Sequence, residues 1–191
     1  MRLRTENIHE YRLKCNTVAQ ITLDDDFNVP DTKDDIELIV KEWGNVQTDS
    51  VKVKISGDYK TRFDQAGLMI RIDHENYIKA GIEFVDGKYN LSTVVTHHTS
   101  DWSIIPLDKP VEYVWIKAVR RLDAVEIFYS FDDKNYTMMR NAWLQDNHPV
   151  MVGLMGACPD GDGFKAMFEN FSIKHLPDMR RMQWLEKNSN K

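Results

Sequence analysis

The chain has 191 residues, 42% hydrophobic and 29% charged. These proportions exclude a disordered chain and suit one domain with one core. Thirty acidic against 25 basic residues give a formal charge of −5, which disfavours a nucleic-acid partner. No apolar run approaches the ~20 residues of a transmembrane helix, so no membrane association is expected.

The charge is unevenly placed. Residues 1–50 hold 11 acids and 6 bases, whereas residues 51–191 hold 19 of each. The opening stretch, MRLRTENIHEYRLK, has no apolar segment of the signal-peptide kind. Cys15 and Cys158 are too few for a disulfide framework; free buried thiols in a reducing, cytoplasmic setting are the expectation, and a single bridge between the two is the alternative. On that basis the N-x-S/T sequons at Asn90, Asn135 and Asn170 are expected to be unused. Six aspartates fall within residues 24–35 (DDDFNVPDTKDD). With Pro30 among them they predict an irregular solvated loop, a weak cation site or a docking surface for a basic partner. Residues 34–43 (DDIELIVKEW) fit a helix or a strand, and the pattern leaves both open.

From residue 51 onward the pattern is period two. Val51, Val53 and Ile55 alternate with lysines, and Leu68, Ile70 and Ile72 with Met69, Arg71 and Asp73. Ile78, Ala80, Ile82 and Phe84 alternate with Lys79, Gly81 and Glu83, and Val114, Ile116 and Ala118 with Trp115, Lys117 and Val119. Val125, Ile127 and Tyr129 alternate with Glu126, Phe128 and Ser130. Such alternation puts one set on a core and the other on an open face. Turn signals at Ser56–Asp58, Asp86–Gly87, Asp132–Asn135 and Pro159–Gly163 separate the runs. The expected fold is all-β, a two-sheet antiparallel jelly-roll sandwich. Residues 1–176 are expected to form its single domain. Residues 177–191 are expected to be a short C-terminal helix or a frayed tail, with Met179, Met182 and Leu185 on one stripe.

The segment Asp58–Leu107 (DYKTRFDQAGLMIRIDHENYIKAGIEFVDGKYNLSTVVTHHTSDWSIIPL) resembles the core of the domain-of-unknown-function 1349 family. The likeness continues through Val114–Leu144 and Val152–Lys174 (VGLMGACPDGDGFKAMFENFSIK), in collinear order. The resemblance implies a concanavalin A-like lectin/glucanase jelly roll with one sheet bent into a concave face. One yeast member of that family is named for the regulation of enolase, which implies a metabolic-enzyme partner as one possible role. The acidic 24–35 stretch departs from many bacterial members, which are aromatic and basic there.

The candidate chemistry lies on the open face. Lys79 and Glu83, four residues apart on one strand, share a face about 13 Å apart with Gly81 between them. Glycine inside a strand implies a close approach or a bend. Arg71 and Lys117 belong to the same alternation class on other strands. Together with Gln65 they define a candidate groove for a carbohydrate or small polar ligand; the alternative is a solvated face with cross-strand ion pairs. In HHTSDW, which follows a strand, His97, Asp101 and Trp102 could supply an aromatic platform and polar partners at the rim. Trp115 and Trp143 are expected to pack. Gln65 and Asp64 could each read a ligand or cap a turn. Adjacent histidines on a strand face opposite sides, so no metal is expected, and no cofactor motif is present. Asp160–Gly163 lacks the later ligands of a calcium loop. No E-x-D-x-x-E run or nucleophile elbow marks a catalytic residue, and Glu75 with Glu83 is the one carboxylate pair considered for glycosidase chemistry. The expectation is a non-catalytic lectin-like module. A regulatory protein acting on a carbohydrate-metabolism enzyme and a glycan hydrolase are the alternatives. Oligomeric state is not legible.

Overall fold

The structure is a computed structural model. It describes residues 8–12, 18–22, 36–43, 49–121, 123–144 and 150–175, with side chains between residues 50 and 174. The acidic 24–35 stretch, Cys15 and the expected C-terminal helix lie outside the described residues.

Thirteen strands are described: β1 (Ile8–Arg12), β2 (Val18–Thr22), β3 (Ile36–Trp43), β4 (Asp49–Gly57), β5 (Gln65–Arg71), β6 (Asn76–Val85), β7 (Lys88–His97), β8 (Thr99–Pro106), β9 (Val114–Arg121), β10 (Ala124–Ser130), β11 (Thr137–Trp143), β12 (Val150–Ala157) and β13 (Lys165–His175). They form a seven-stranded sheet in the order β1-β2-β13-β4-β9-β10-β11 and a six-stranded sheet in the order β3-β12-β5-β6-β7-β8. Pairing is antiparallel, as expected of a jelly-roll sandwich, except that β2 runs parallel to β13.

The alternation places the core. Val51, Val53, Ile55, Ile116, Ala118 and Ile127 face inward from the seven-stranded sheet, and Leu68, Ile70, Ile78, Ile82, Leu91 and Leu154 from the six-stranded one. Burying each of these larger side chains contributes about 1.5–3 kcal/mol, and β-branched residues suit the pleat. The segment left open between helix and strand is β3, which pairs with β12 and carries the β-branched Ile36, Ile39 and Val40.

Two elements differ from expectation. Residues 99–106, read as a rim following a strand, form β8 at the edge of the six-stranded sheet; His98, with φ of 60°, makes the tight turn into it. Trp143, expected to pack, is 55% exposed at the end of β11.

Candidate functional site

The face of the six-stranded sheet turned away from the core carries most of the candidate residues. Register places Gln65 directly opposite Glu83, and Glu83 opposite Asn90. One step along, Gly67 faces Gly81 and Gly81 faces Ser92. The next row joins Met69, Lys79, Val94 and Trp102. Arg71 lies one row further, opposite Tyr77.

Glu83 is the centre of this face. It is only 6% exposed although it points away from the core. Its Oε2 accepts from the Ser92 hydroxyl at 2.6 Å and from the Trp102 indole N–H at 2.8 Å. The same indole N–H lies 3.2 Å from Ser92 Oγ, so the three side chains close a small network. To make it, Trp102 reaches diagonally across β7, and the residue as a whole stays 47% exposed. No lysine, arginine or histidine among the described residues contacts Glu83. A buried carboxylate normally requires such pairing.

A strained aromatic borders the network. Phe63 has φ of 66°, a left-handed conformation that a bulky side chain rarely adopts. It is held by its N–H to the Phe84 carbonyl at 2.7 Å, and its ring meets Trp102 edge-on at 6.4 Å. Strain of this kind costs about 1–3 kcal/mol and collects at functional sites. Gln65 joins the two features, because its Nε2 donates to the Phe63 carbonyl at 3.2 Å.

Gly81 has a structural explanation. A Cβ there would fall 2.0 Å from the Ala66 carbonyl oxygen, and one on Gly67 would fall 2.1 Å from that of Ala80. The close approach expected of this glycine is that of the neighbouring strand. Asp64 also resolves as structural: its Oδ2 accepts from the backbone N–H groups of Lys60 and Thr61, each at 2.8 Å, and closes that turn.

Three candidates lie elsewhere. Lys117 is on the outer face of the opposite sheet, where its ammonium sits over the rings of Phe128 and Tyr136 at 5.0 and 3.7 Å. Burial there lowers its pKa, and neighbouring Lys52 adds to the effect. Lys52 is itself paired with Asp133 at 2.6 Å. The single groove containing Arg71, Lys79, Glu83 and Lys117 is therefore split between two sheets. The reason is that β9 joins β4 and β10 rather than the β5–β6 hairpin. Asp101 and His97 sit on the core-facing side of β8 and β7 at the open end of the sandwich. Asp101 pairs with Arg140 of β11, and His97 Nε2 lies 3.1 Å from the Trp143 carbonyl. Both tie one sheet to the other.

His98 is turned to Glu75 at 3.2 Å, and no group of three metal-ligating side chains exists among the described residues. The sequon at Asn90 is buried, with its amide donating to the Lys88 carbonyl at 2.9 Å. Among the described residues no helix is long and apolar enough to cross a membrane. Ser92 and Phe63 were not singled out in the sequence, and Asn90 only as a sequon. Ser92 was findable from the alternation Ser92–Val94–Thr96; Phe63 was not, because its role depends on an unusual φ.

The two sheets place the chain among the antiparallel β-sandwich proteins. The chain matches the family described as Protein of unknown function (DUF1349) over residues 32–176 and belongs to it. It is similar to Regulation of enolase protein 1 of Saccharomyces cerevisiae, 32% identical over 142 residues, covering 74% of this chain and 71% of that one. The crystal structure of a functionally unknown protein from Saccharomyces cerevisiae superposes with a TM-score of 0.72 at 26% identity, covering 91% of this chain and 94% of that chain. The GH43 protein BlXynB of Bacillus licheniformis shares the fold, with a TM-score of 0.61 at 16% identity; the match covers 72% of this chain and 29% of that one.

Proposed function

We propose that the protein is a non-catalytic binding module that takes a saccharide or another hydroxyl-rich ligand on the outer face of the six-stranded sheet. The observation that carries this reading is Glu83. Both of its hydrogen bonds fall on Oε2 and come from neutral donors. Oε1 has no bonding partner among the described residues. Ligand hydroxyls donating to Oε1 would form charge-assisted bonds, the stronger kind. The ring of the half-exposed Trp102 would cover the C–H face of the same ligand. A glycosidase reading fits less well. Glu75 precedes β6 and is eight residues from Glu83, about 26 Å along an extended strand, far beyond the roughly 5–9 Å that a catalytic pair spans.

The test is a broad glycan array followed by saturation-transfer NMR on any hit. Binding is expected to fall at least about tenfold in Glu83→Gln and in Trp102→Ala, with melting curves intact. A flat array, or binding that both variants retain, would sink the proposal.

A second reading rests on the similarity to Regulation of enolase protein 1. In it the protein acts in the cytoplasm by binding an enzyme of carbohydrate metabolism. Purified enolase on a biosensor surface tests it directly: saturable binding supports it, and none removes it.

A further inference from the structure

β8 is an edge strand, and no other described strand covers its outer side. Most of its residues are exposed on both faces, including Ile104 at 38% and Ile105 at 39%. Its register with β7 has no bulge. It contains no lysine, and Pro106 stands only at its end. Natural edges are normally blunted by charges, bulges or proline. The single charge, Asp101, is already held by Arg140 of β11.

The direction of the free backbone groups can be read from the ladder. Leu107 N–H donates to the Tyr89 carbonyl at 2.9 Å. In an antiparallel pair bonded and non-bonded positions alternate. Odd-numbered residues of β8 therefore bond inward to β7, and the N–H and C=O of Ser100, Trp102 and Ile104 point outward.

We propose that β8 pairs antiparallel with β8 of a second copy of this chain about a two-fold axis at Ser103. In that register Trp102 lies opposite the second copy's Ile104, and Ile104 opposite its Trp102. Ser100 and Pro106 pair likewise, and each carboxylate of Asp101 meets an isoleucine rather than another carboxylate. The outward groups of Trp102 and Ile104 then bond to each other, and the apolar side chains on the sheet face meet as cross-strand pairs. A second copy fits this edge because its pattern is self-complementary under a two-fold and sets no like charges together. The surface extends to the β11 edge, where Trp143 and Met138 are exposed and which the Asp101–Arg140 and His97–Trp143 contacts hold alongside β8. That matters because one strand pair alone is small against the ~1,600 Å² of a typical stable interface.

The experiment is sedimentation velocity on the full chain over a wide concentration range, with two variants. The wild type is expected at the mass of two chains. Ile104→Lys places a charge opposite the partner strand's Trp102 and is expected at the mass of one chain, with the wild-type circular-dichroism spectrum because Ile104 is exposed and with a melting temperature that no longer depends on concentration. Ser103→Cys, in a Cys15→Ser background, is expected to cross-link two chains on mild oxidation, because facing residues of a non-hydrogen-bonded pair are about 4.5 Å apart at Cα, within disulfide range. A monomer at every concentration overturns the proposal, including the case where a strand of another protein occupies the edge. A dimer that survives Ile104→Lys and does not cross-link through Ser103→Cys overturns it as well.

Discussion

Gly67 and Gly81 face each other across β5 and β6, and neither position has room for a Cβ. The obstruction is backbone on both sides: the Ala80 carbonyl for one and the Ala66 carbonyl for the other. Backbone in the middle of a paired ladder cannot swing aside as a flexible side chain can. Gly81→Ala is therefore expected to destabilise the protein by about 3 kcal/mol or more, at the upper end for overpacking. Urea unfolding measures it. A loss below about 1 kcal/mol would show that the strands can part.

Local properties of this chain are legible in its sequence, and strand pairing is not. Val51–Ile55, Leu68–Ile70, Ile78–Ile82 and Val114–Ala118 alternate strictly, and all of their inward sets are buried. Side-chain direction along one strand was thus legible, and Lys79 and Glu83 do share a face. The partner of each strand was not legible. Lys117 obeys the same alternation as Glu83, yet its strand belongs to the other sheet. Trp102 was found as a candidate because tryptophan next to polar residues stands out, but its bond to Glu83 needs the β7–β8 pairing, which TSDWSIIP does not announce. The turn at His98 that creates this hairpin uses a positive φ at histidine, with no glycine to signal it. Asp133 and Asp86, by contrast, take their positive φ values within turns that the sequence marked.

Asp132 gives the protein a pH-dependent turn. The Asn135 and Lys134 backbone N–H groups, then the Asn135 amide and the Ser130 hydroxyl, hold its carboxyl below the usual carboxylate range. A depressed folded pKa means that the stabilisation is fully present above the unfolded value, about 3.9, and is lost as pH falls through the folded one. The wild type is therefore expected to melt higher than Asp132→Asn at neutral pH by a constant margin. That margin should begin to shrink below about pH 4. Melting temperature against pH for the two proteins checks this, and a margin that widens on acidification would contradict it.

Cys158 is a buried free thiol. Burial, followed by the hydrogen-bonded Asp64 carboxylate beside it, pushes its pKa up to about 11. At pH 8 roughly one thiol in a thousand is then ionised, and the thiolate is the reactive form. In a Cys15→Ser background, labelling of the native protein by a disulfide reagent should be at least about 100-fold slower than in urea. Complete labelling of the folded protein at the unfolded rate would place the thiol in an exposed or flexible setting.

The two buried carboxylates of the β5–β6 region separate fold from function. Asp64 accepts from two backbone N–H groups that side chains cannot replace, those of Lys60 and Thr61, so Asp64→Ala is expected to cost about 2–4 kcal/mol. Glu83 bonds two side chains that can still satisfy each other, because the Trp102 N–H already lies 3.2 Å from Ser92 Oγ. Its own burial, without a cationic contact among the described residues, carries a desolvation penalty. Glu83→Leu is therefore expected to leave stability within about 1 kcal/mol of wild type or to raise it. Urea unfolding of the two variants side by side decides the matter. An equal large loss in both would make Glu83 a structural carboxylate and remove the reason for assigning it to a ligand; a loss confined to Asp64→Ala leaves Glu83 a group the fold does not need.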